Sequence, residues 1–207
     1  MDVRLAGEGA VDLAIMRRLL IEAGLPIGPV VWGEGRNTGK DRMTERLHCW
    51  AAGAAHGAAF FVLRDLDDDA PCAGALRAQL LPAAQPGLVL RIAVRAADSW
   101  LIADRERLAE ALKVSPSALP AEPDACADPK AAIIAAARKS RSSLVRNGVP
   151  PRPESGRRQG ADYAETLIAF VREAWSPAEA ALRSDSLRRA KAGLADLRLQ
   201  LAQRRTL

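Results

Sequence analysis

The residues with the clearest capacity for chemistry are acidic. Asp65, Asp67, Asp68 and Asp69 come directly after the apolar run Ala58–Arg64 (AAFFVLR), and Glu8 comes just after the shorter run Val3–Ala6. Carboxylates held close together repel one another. A hard divalent cation such as Mg²⁺ or Mn²⁺ relieves that repulsion, because it prefers oxygen ligands. In an extended D-x-D segment, Asp65 and Asp67 project to the same side. Glu8 on a neighbouring strand would add a third oxygen. Such a set can hold a metal ion that activates water and stabilises charge building up on a phosphoryl group. A plainer account competes: DLDDD can be a solvated acidic turn in which Asp68 or Asp69 caps the next helix.

The elements that must position these groups alternate along the chain. Val3–Ala6 reads as a buried strand entering a tight turn at Gly7-Glu8-Gly9. Val11, Ile15, Leu19 and Ala23 recur at helical spacing, and Gly24 closes that helix. Pro29–Trp32 is a second strand, Gly33–Lys40 a polar glycine-rich loop, and Asp41–Ala55 a helix. Ala58–Arg64 is the strongest strand signal. A helix follows over Pro71–Leu81, a strand over Leu88–Val94 and a helix over Asp98–Leu112. This alternation predicts an α/β fold with a mainly parallel four-stranded sheet flanked by helices. Ligands of parallel sheets bind at the carboxyl ends of the strands. Both Glu8 and the Asp65/Asp67 pair fall there.

Further on, Ser115–Ala127 reads as a Pro- and Ser-rich linker or long loop, Asp128–Lys139 as a short helix, and Asn147–Gly160 as an irregular, mobile segment. Asp162–Trp175 is helical, and Ala178–Leu207 reads as one or two basic amphipathic helices. The expected division is therefore an α/β domain over 1–137 and a basic helical extension over 138–207, packing on or beside it. The charge is uneven across that boundary. Residues 1–137 hold 15 Lys and Arg against 18 Asp and Glu, whereas 138–207 hold 15 against 7. A basic C-terminal third can neutralise nucleic-acid phosphates, or it can be a solvated face or a contact for an acidic protein.

The segments LAGEGAVD (5–12), VLRDLDDD (62–69) and RIAVRAADSWLIAD (91–104) together resemble the Toprim fold, and more narrowly the Toprim-like bacterial family DUF4276. That resemblance spans roughly residues 3–135. The Toprim motif is a glutamate after the first strand and a D-x-D after the third, which Glu8, Asp65 and Asp67 match. It implies a Rossmannoid fold, bound Mg²⁺ or Mn²⁺ and phosphodiester chemistry as a nuclease. Two departures stand out. Val11 replaces a helix-opening threonine, although Asp12 is kept, and Asp98 replaces a longer glutamate in the pattern E-x-W-L-x-A-D. A second metal that relied on Asp98 would be reached by one methylene less. The family analogy also suggests antiphage defence with an ATPase partner.

On this reading Glu8, Asp65 and Asp67 are metal ligands with catalytic roles, with Glu8 alternatively a general base. Asp98 and Asp104 assist at the metal, and Lys40 contacts phosphate. Each has a competing local explanation: a surface lysine for Lys40, a helix-surface acid for Asp104. Lys130, in Asp128-Pro129-Lys130, resembles a recurring family element, but Asp128 as N-cap and Pro129 at the first helical position also explain it. His48 and His56 read as structural, and Trp50 and Trp100 as core.

Several classes are set aside. Gly33–Lys40 lacks the first glycine and the Ser/Thr of a phosphate-binding loop: Glu34 and Asp41 stand there. Gly7-x-Gly9 has Asp12 where a dinucleotide site needs its third glycine, with Glu8 inside the cradle. Cys49, Cys72 and Cys126 form no close pair, which argues against a zinc site or disulfide framework and for free thiols in a reducing cytoplasm. The N-terminus does not read as a signal peptide, and no apolar run is long enough for a membrane span. The rival class is a non-catalytic subunit that binds nucleic acid or docks a partner protein. A third reading, phosphate-ester transfer on a small nucleotide, lacks an aromatic base-stacking cluster.

Overall fold

The computed structural model describes residues 1–34 and 39–204. Gly35–Thr38, within the expected glycine-rich loop, and residues 205–207, at the end of the expected basic tail, lie outside the described residues. The elements run β1 (Val3–Ala6), α1 (Ala10–Glu22), β2 (Ile27–Trp32), α2 (Lys40–Ala55), β3 (Ala59–Asp65), α3 (Ala73–Leu80) and β4 (Leu88–Ala93). Then follow α4 (Asp98–Ala103), α5 (Arg105–Ala111), α6 (Pro129–Ala137), α7 (Ser143–Gly148), α8 (Tyr163–Glu173), α9 (Pro177–Ala180) and α10 (Asp185–Gln203). The four strands pair in parallel in the order β2-β1-β3-β4, with helices on both faces. This is the expected α/β, Rossmann-like architecture.

β3 explains the layering. It is buried on both faces, as central parallel strands are, so its sequence reads as a continuous apolar run. Alternate residues divide between two cores. Ala59, Phe61 and Leu63 join a large core with Leu13, Ile15 and Leu19 of α1. Phe60 and Val62 join a smaller one with Met43, Leu47 and Trp50 of α2 and Leu76 of α3. Trp50 stacks edge-on to Trp32, and Trp100 is fully buried, so both belong to the core as expected.

The C-terminal helices complete the large core. Leu167, Phe170 and Val171 of α8 and Leu187, Leu194 and Leu197 of α10 belong to the same cluster as Val3 and Leu5 of β1. α8 packs along α1, and α10 lies on β4. Much of the basic charge here is already paired: Arg188 and Arg189 with Asp185, Lys191 with Glu22, and Arg183 with Glu106. No described helix is long and apolar enough to cross a membrane.

Three local expectations are corrected. The helix expected over Asp98–Leu112 is two helices, α4 and α5, because Asp104 leaves the helical conformation (φ −90°, ψ 57°). Its carboxylate accepts the Ser176 N–H (2.7 Å) and an Arg107 N–H (3.0 Å), a tertiary tie that offsets the lost helical bonding. Of the two readings of Ser115–Ala127, linker or long loop, the loop holds and the linker is corrected, because the segment is anchored: Leu119 and Pro123 are buried, and Asp124 accepts from Ser184 and from the Ser186 N–H. The segment expected to be irregular and mobile, Asn147–Gly160, has its ends tied by Gly160 N–H to Val149 C=O (2.9 Å) and Asp162 N–H to Gly148 C=O (3.1 Å). Val149 and Pro150 are buried there, and Pro153–Ser155 forms a 3₁₀ turn.

Candidate functional site

The site forms at the carboxyl ends of β1 and β3. β1 ends in a turn so tight that a side chain at Gly7 would press on Asp12 and Met16. Gly33, at φ +111°, passes so close to the Gly7 carbonyl that a Cβ would stand 2.7 Å from it, so only glycine fits. This turn hands the chain to α1. Asp12, in the first turn of α1, reaches back and accepts the N–H groups of Glu8 (3.0 Å) and Gly9 (2.9 Å). These are orphan donors at a helix start, and an acid is favoured there. Asp12 therefore both caps α1 and fixes the backbone of Glu8.

Glu8 bridges to β3. Its Oε1 accepts from Arg64 Nη1 (2.8 Å) and from the Asp65 N–H (3.0 Å). Arg64 is 4% exposed, and its other arm meets Asp69 at 2.8 Å. A buried guanidinium needs such partners. Asp65 Oδ1 accepts the Ala97 N–H (2.8 Å), which ties the end of β3 to the chain entering α4. Asp98, 8% exposed, accepts from the Tyr163 hydroxyl at 2.6 Å.

Glu8, Asp12, Asp65 and Asp98 thus form one electrostatic group. Burial pushes the Asp12 carboxyl up to about 7, helped by the charges of Asp98 and Glu8 and opposed by its two backbone hydrogen bonds. Burial raises Asp65 well above the usual carboxylate range, with Asp12 and Glu8 adding to it. Asp98 is raised chiefly by burial, against the lowering effects of Tyr163 and Lys130. The Tyr163 hydroxyl is itself held far above its ordinary value by burial and by Asp98, so it stays a donor.

A cleft of about 310 Å³ opens beside this group. Asp65, Asp67, Asp68, Asp98 and Asp128 line it, facing Arg95, Lys130 and Arg158. Lys130 lies 5.7 Å from the centroid of the Tyr163 ring. Asp128 caps α6 by accepting the Ala131 N–H (2.8 Å), as the local reading of Asp128-Pro129-Lys130 expects, and the same turn carries Lys130 to the cleft.

The expected residues fare differently. Glu8 and Asp65 come together, and Asp98 joins the same charge group. Asp67 lines the cleft but does not sit beside Asp65 as an extended D-x-D would require. Its backbone turns left-handed (φ 45°), and its carboxylate meets Lys40 Nζ at 3.1 Å. Lys40 is also held by Asp69 at 2.7 Å. That bond is the largest cause both of the raised Lys40 value and of the lowered Asp69 value. Asp104, expected as an outer metal ligand, is 2% exposed, outside the cleft and committed to Ser176 and Arg107. His48 and His56 lie on α2 and at its end, away from the cleft lining. Cys49, Cys72 and Cys126 are free thiols, Cys49 and Cys72 exposed and Cys126 half-buried.

Among the described residues, no three His, Cys, Asp or Glu side chains converge closely enough to form a metal-binding group. The donor chemistry nevertheless suits a divalent ion held by fewer protein ligands. Two carboxylates, with water and phosphate oxygens, are a common Mg²⁺ set. Glu8 and Asp65 each use one oxygen for the hydrogen bonds above.

Sequence reasoning missed the bonds by which Asp12 holds the Glu8 and Gly9 backbone, and the cleft-facing cations Arg95 and Arg158. It also missed Arg64 and Tyr163. Arg64 carried a usable signal: a charged residue inside a buried strand demands a partner. Tyr163, the only tyrosine, carried none. Comparison with known proteins found no matching family model, no matching curated protein and no matching solved structure.

Proposed function

We propose that this chain is a divalent-metal-dependent nuclease of Toprim-like type that hydrolyses phosphodiester bonds in DNA or RNA. The observation that carries this reading is the meeting of Glu8 with Asp12, Asp65 and Asp98, the last three disfavoured as anions, beside Arg95, Lys130 and Arg158 at the carboxyl edge of the sheet. A site that resists holding its own negative charges is suited to a cation, and neighbouring cations are suited to a phosphate.

Glu8 and Asp65 would hold Mg²⁺ or Mn²⁺, with Asp98 and Asp67 at its outer side. The bound ion would supply an activated water and stabilise charge on the phosphoryl oxygens. Arg64 fixes Glu8 by a buried ion pair, and the Ala97 N–H fixes one oxygen of Asp65. Asp12 carries a proton for part of the time near neutral pH, which lessens repulsion within the group. Arg95, Lys130 and Arg158 bind and orient the phosphate backbone. Lys40 contributes only when it releases Asp67 and Asp69. A cytoplasmic setting, antiphage defence and an ATPase partner extend this reading by family analogy alone.

The test is cleavage of end-labelled single-stranded DNA, duplex DNA and RNA with Mg²⁺ or Mn²⁺. Wild-type protein should cut at least one of them, and Asp65→Asn and Lys130→Ala should lose the activity. Equal background from wild type and Asp65→Asn rejects hydrolysis.

A second reading has its own support. Arg64 already neutralises Glu8, Lys40 already holds Asp67, and no three ligands converge among the described residues. That favours a non-catalytic module that binds nucleic acid or docks a partner. Size measurement of the purified complex, with metal calorimetry, separates the two: tight co-purification without metal binding fits the second.

A further inference from the structure

A separate cleft of about 420 Å³ lies at the outer edge of β4, between the start of α3 and the first half of α10. Its volume is within the range of small-molecule sites. Three arginines line it: Arg77 of α3, Arg91 of β4 and Arg189 of α10.

Arg91 is the central feature. Its guanidinium rests against Gly193, where any Cβ would collide with Nη2, Cζ and Nε. Glycine inside a helix costs about 1 kcal/mol relative to alanine. α10 carries that cost in its interior, at a buried position, and the space it frees holds a cation. The cation is poorly satisfied. Arg91 Nε is buried without a hydrogen-bond partner, and Nη1 makes only a long contact (3.5 Å) to the Leu90 carbonyl. Neither Arg91 nor Arg77 has a carboxylate within ion-pair distance among the described residues.

The acids near this cleft are otherwise engaged. Asp185 pairs with Arg188 and Arg189, and Asp124 accepts from the Ser184 hydroxyl and the Ser186 N–H. Asp196 acts on Arg91 only through space and does not reverse the lowering by burial and Arg77. Ala73 and Gly74, in the first turn of α3, also line the cleft. First-turn N–H groups have no partner within their own helix. Unpaired guanidiniums beside such donors match an oxyanion with several acceptor oxygens.

We propose that this cleft is a binding site for the phosphate group of a small phosphomonoester, with Arg91 and Arg77 as its cationic ligands and Gly193 as the residue that makes room for Arg91. The site is independent of the carboxylate cleft and of the reaction proposed there.

The test is calorimetric titration of the full chain at low salt with inorganic phosphate, ribose 5-phosphate and adenosine monophosphate. Phosphate should bind, and at least one ester should bind more tightly if the cleft also receives the organic part. Equal affinities identify free phosphate as the ligand. Arg91→Met and Arg77→Ala should each weaken binding by about tenfold. Gly193→Ala should also weaken it, because its Cβ displaces the guanidinium, while raising or preserving thermal stability. That variant separates lost binding from lost folding. Lys130→Ala, which removes a proposed phosphate contact in the other cleft, should leave unchanged the component of phosphate binding that Arg91→Met removes. Absence of binding by all three probes overturns the proposal. So does binding that survives Arg91→Met and Gly193→Ala, or that is lost in Lys130→Ala instead.

Discussion

Replacing Asp12 by asparagine should stabilise the protein above neutral pH and remove much of its pH dependence. Asp12 has an ordinary value of 3.8 and is raised to about 7 in the fold, chiefly by burial and by the charges of Asp98 and Glu8. Between these values the folded chain holds a proton that the unfolded chain has released. Stability therefore falls as pH rises from about 4 to about 7 and levels off above. One pH unit corresponds to about 1.4 kcal/mol per proton. The full interval would give about 4 kcal/mol. Partial solvent contact and shared titration with neighbouring carboxylates reduce this to about 2–4 kcal/mol. Asparagine keeps an oxygen for the Glu8 and Gly9 N–H groups but carries no charge to bury. Urea unfolding from pH 4.5 to 8.5 is the assay. The wild-type curve should slope downward with pH, and Asp12→Asn should run flatter and lie above it at pH 8. Asp65, shifted in the same direction, leaves a residual slope. Parallel curves, or an Asp12→Asn protein less stable than wild type at pH 8, refute this reasoning.

Other substitutions probe the surrounding framework. Arg64→Met should cost about 3–5 kcal/mol in chemical denaturation, because it removes the buried guanidinium that pairs with Glu8 and Asp69. Asp104→Ala should cost about 2–3 kcal/mol by removing the acceptor for Ser176 and Arg107, yet leave any metal affinity unchanged. Lys40→Ala should cost less than about 1 kcal/mol at neutral pH, since its ion pairs are partly exposed. The Asp69 carboxyl, lowered first by Lys40 and then by Arg64, should titrate higher in that variant. Its stabilising share, present above the ordinary carboxylate value and lost as pH falls through the lowered one, should shrink on the acid side, as followed by NMR titration.

The sheet was legible because each strand declares itself locally. β3 is a continuous apolar run, and Glu8 and Asp65 stand at strand ends where parallel topology brings them together. Periodic apolar positions likewise announced α8. Features fixed by distant partners were not legible. Asp104 breaks a helix because Ser176, far along the chain, offers its N–H. Asp67 leaves the strand alternation because β3 ends at Asp65 and the chain turns left-handed toward Lys40. Arg95, Lys130 and Arg158 reach one cleft from three separate segments, and no local pattern marks such convergence. The basic C-terminal third gave a charge signal without showing that several of its cations are paired within the fold.

The nuclease function requires that Glu8 and Asp65 bind a divalent ion. Mn²⁺ titration at pH 8, followed by calorimetry and electron paramagnetic resonance, measures this without reference to any substrate. The expected result is saturable binding by the wild type. Binding should be lost in Glu8→Gln and Asp65→Asn and kept in Asp104→Asn. No binding at millimolar Mn²⁺, or binding undiminished by Asp65→Asn, contradicts the central claim.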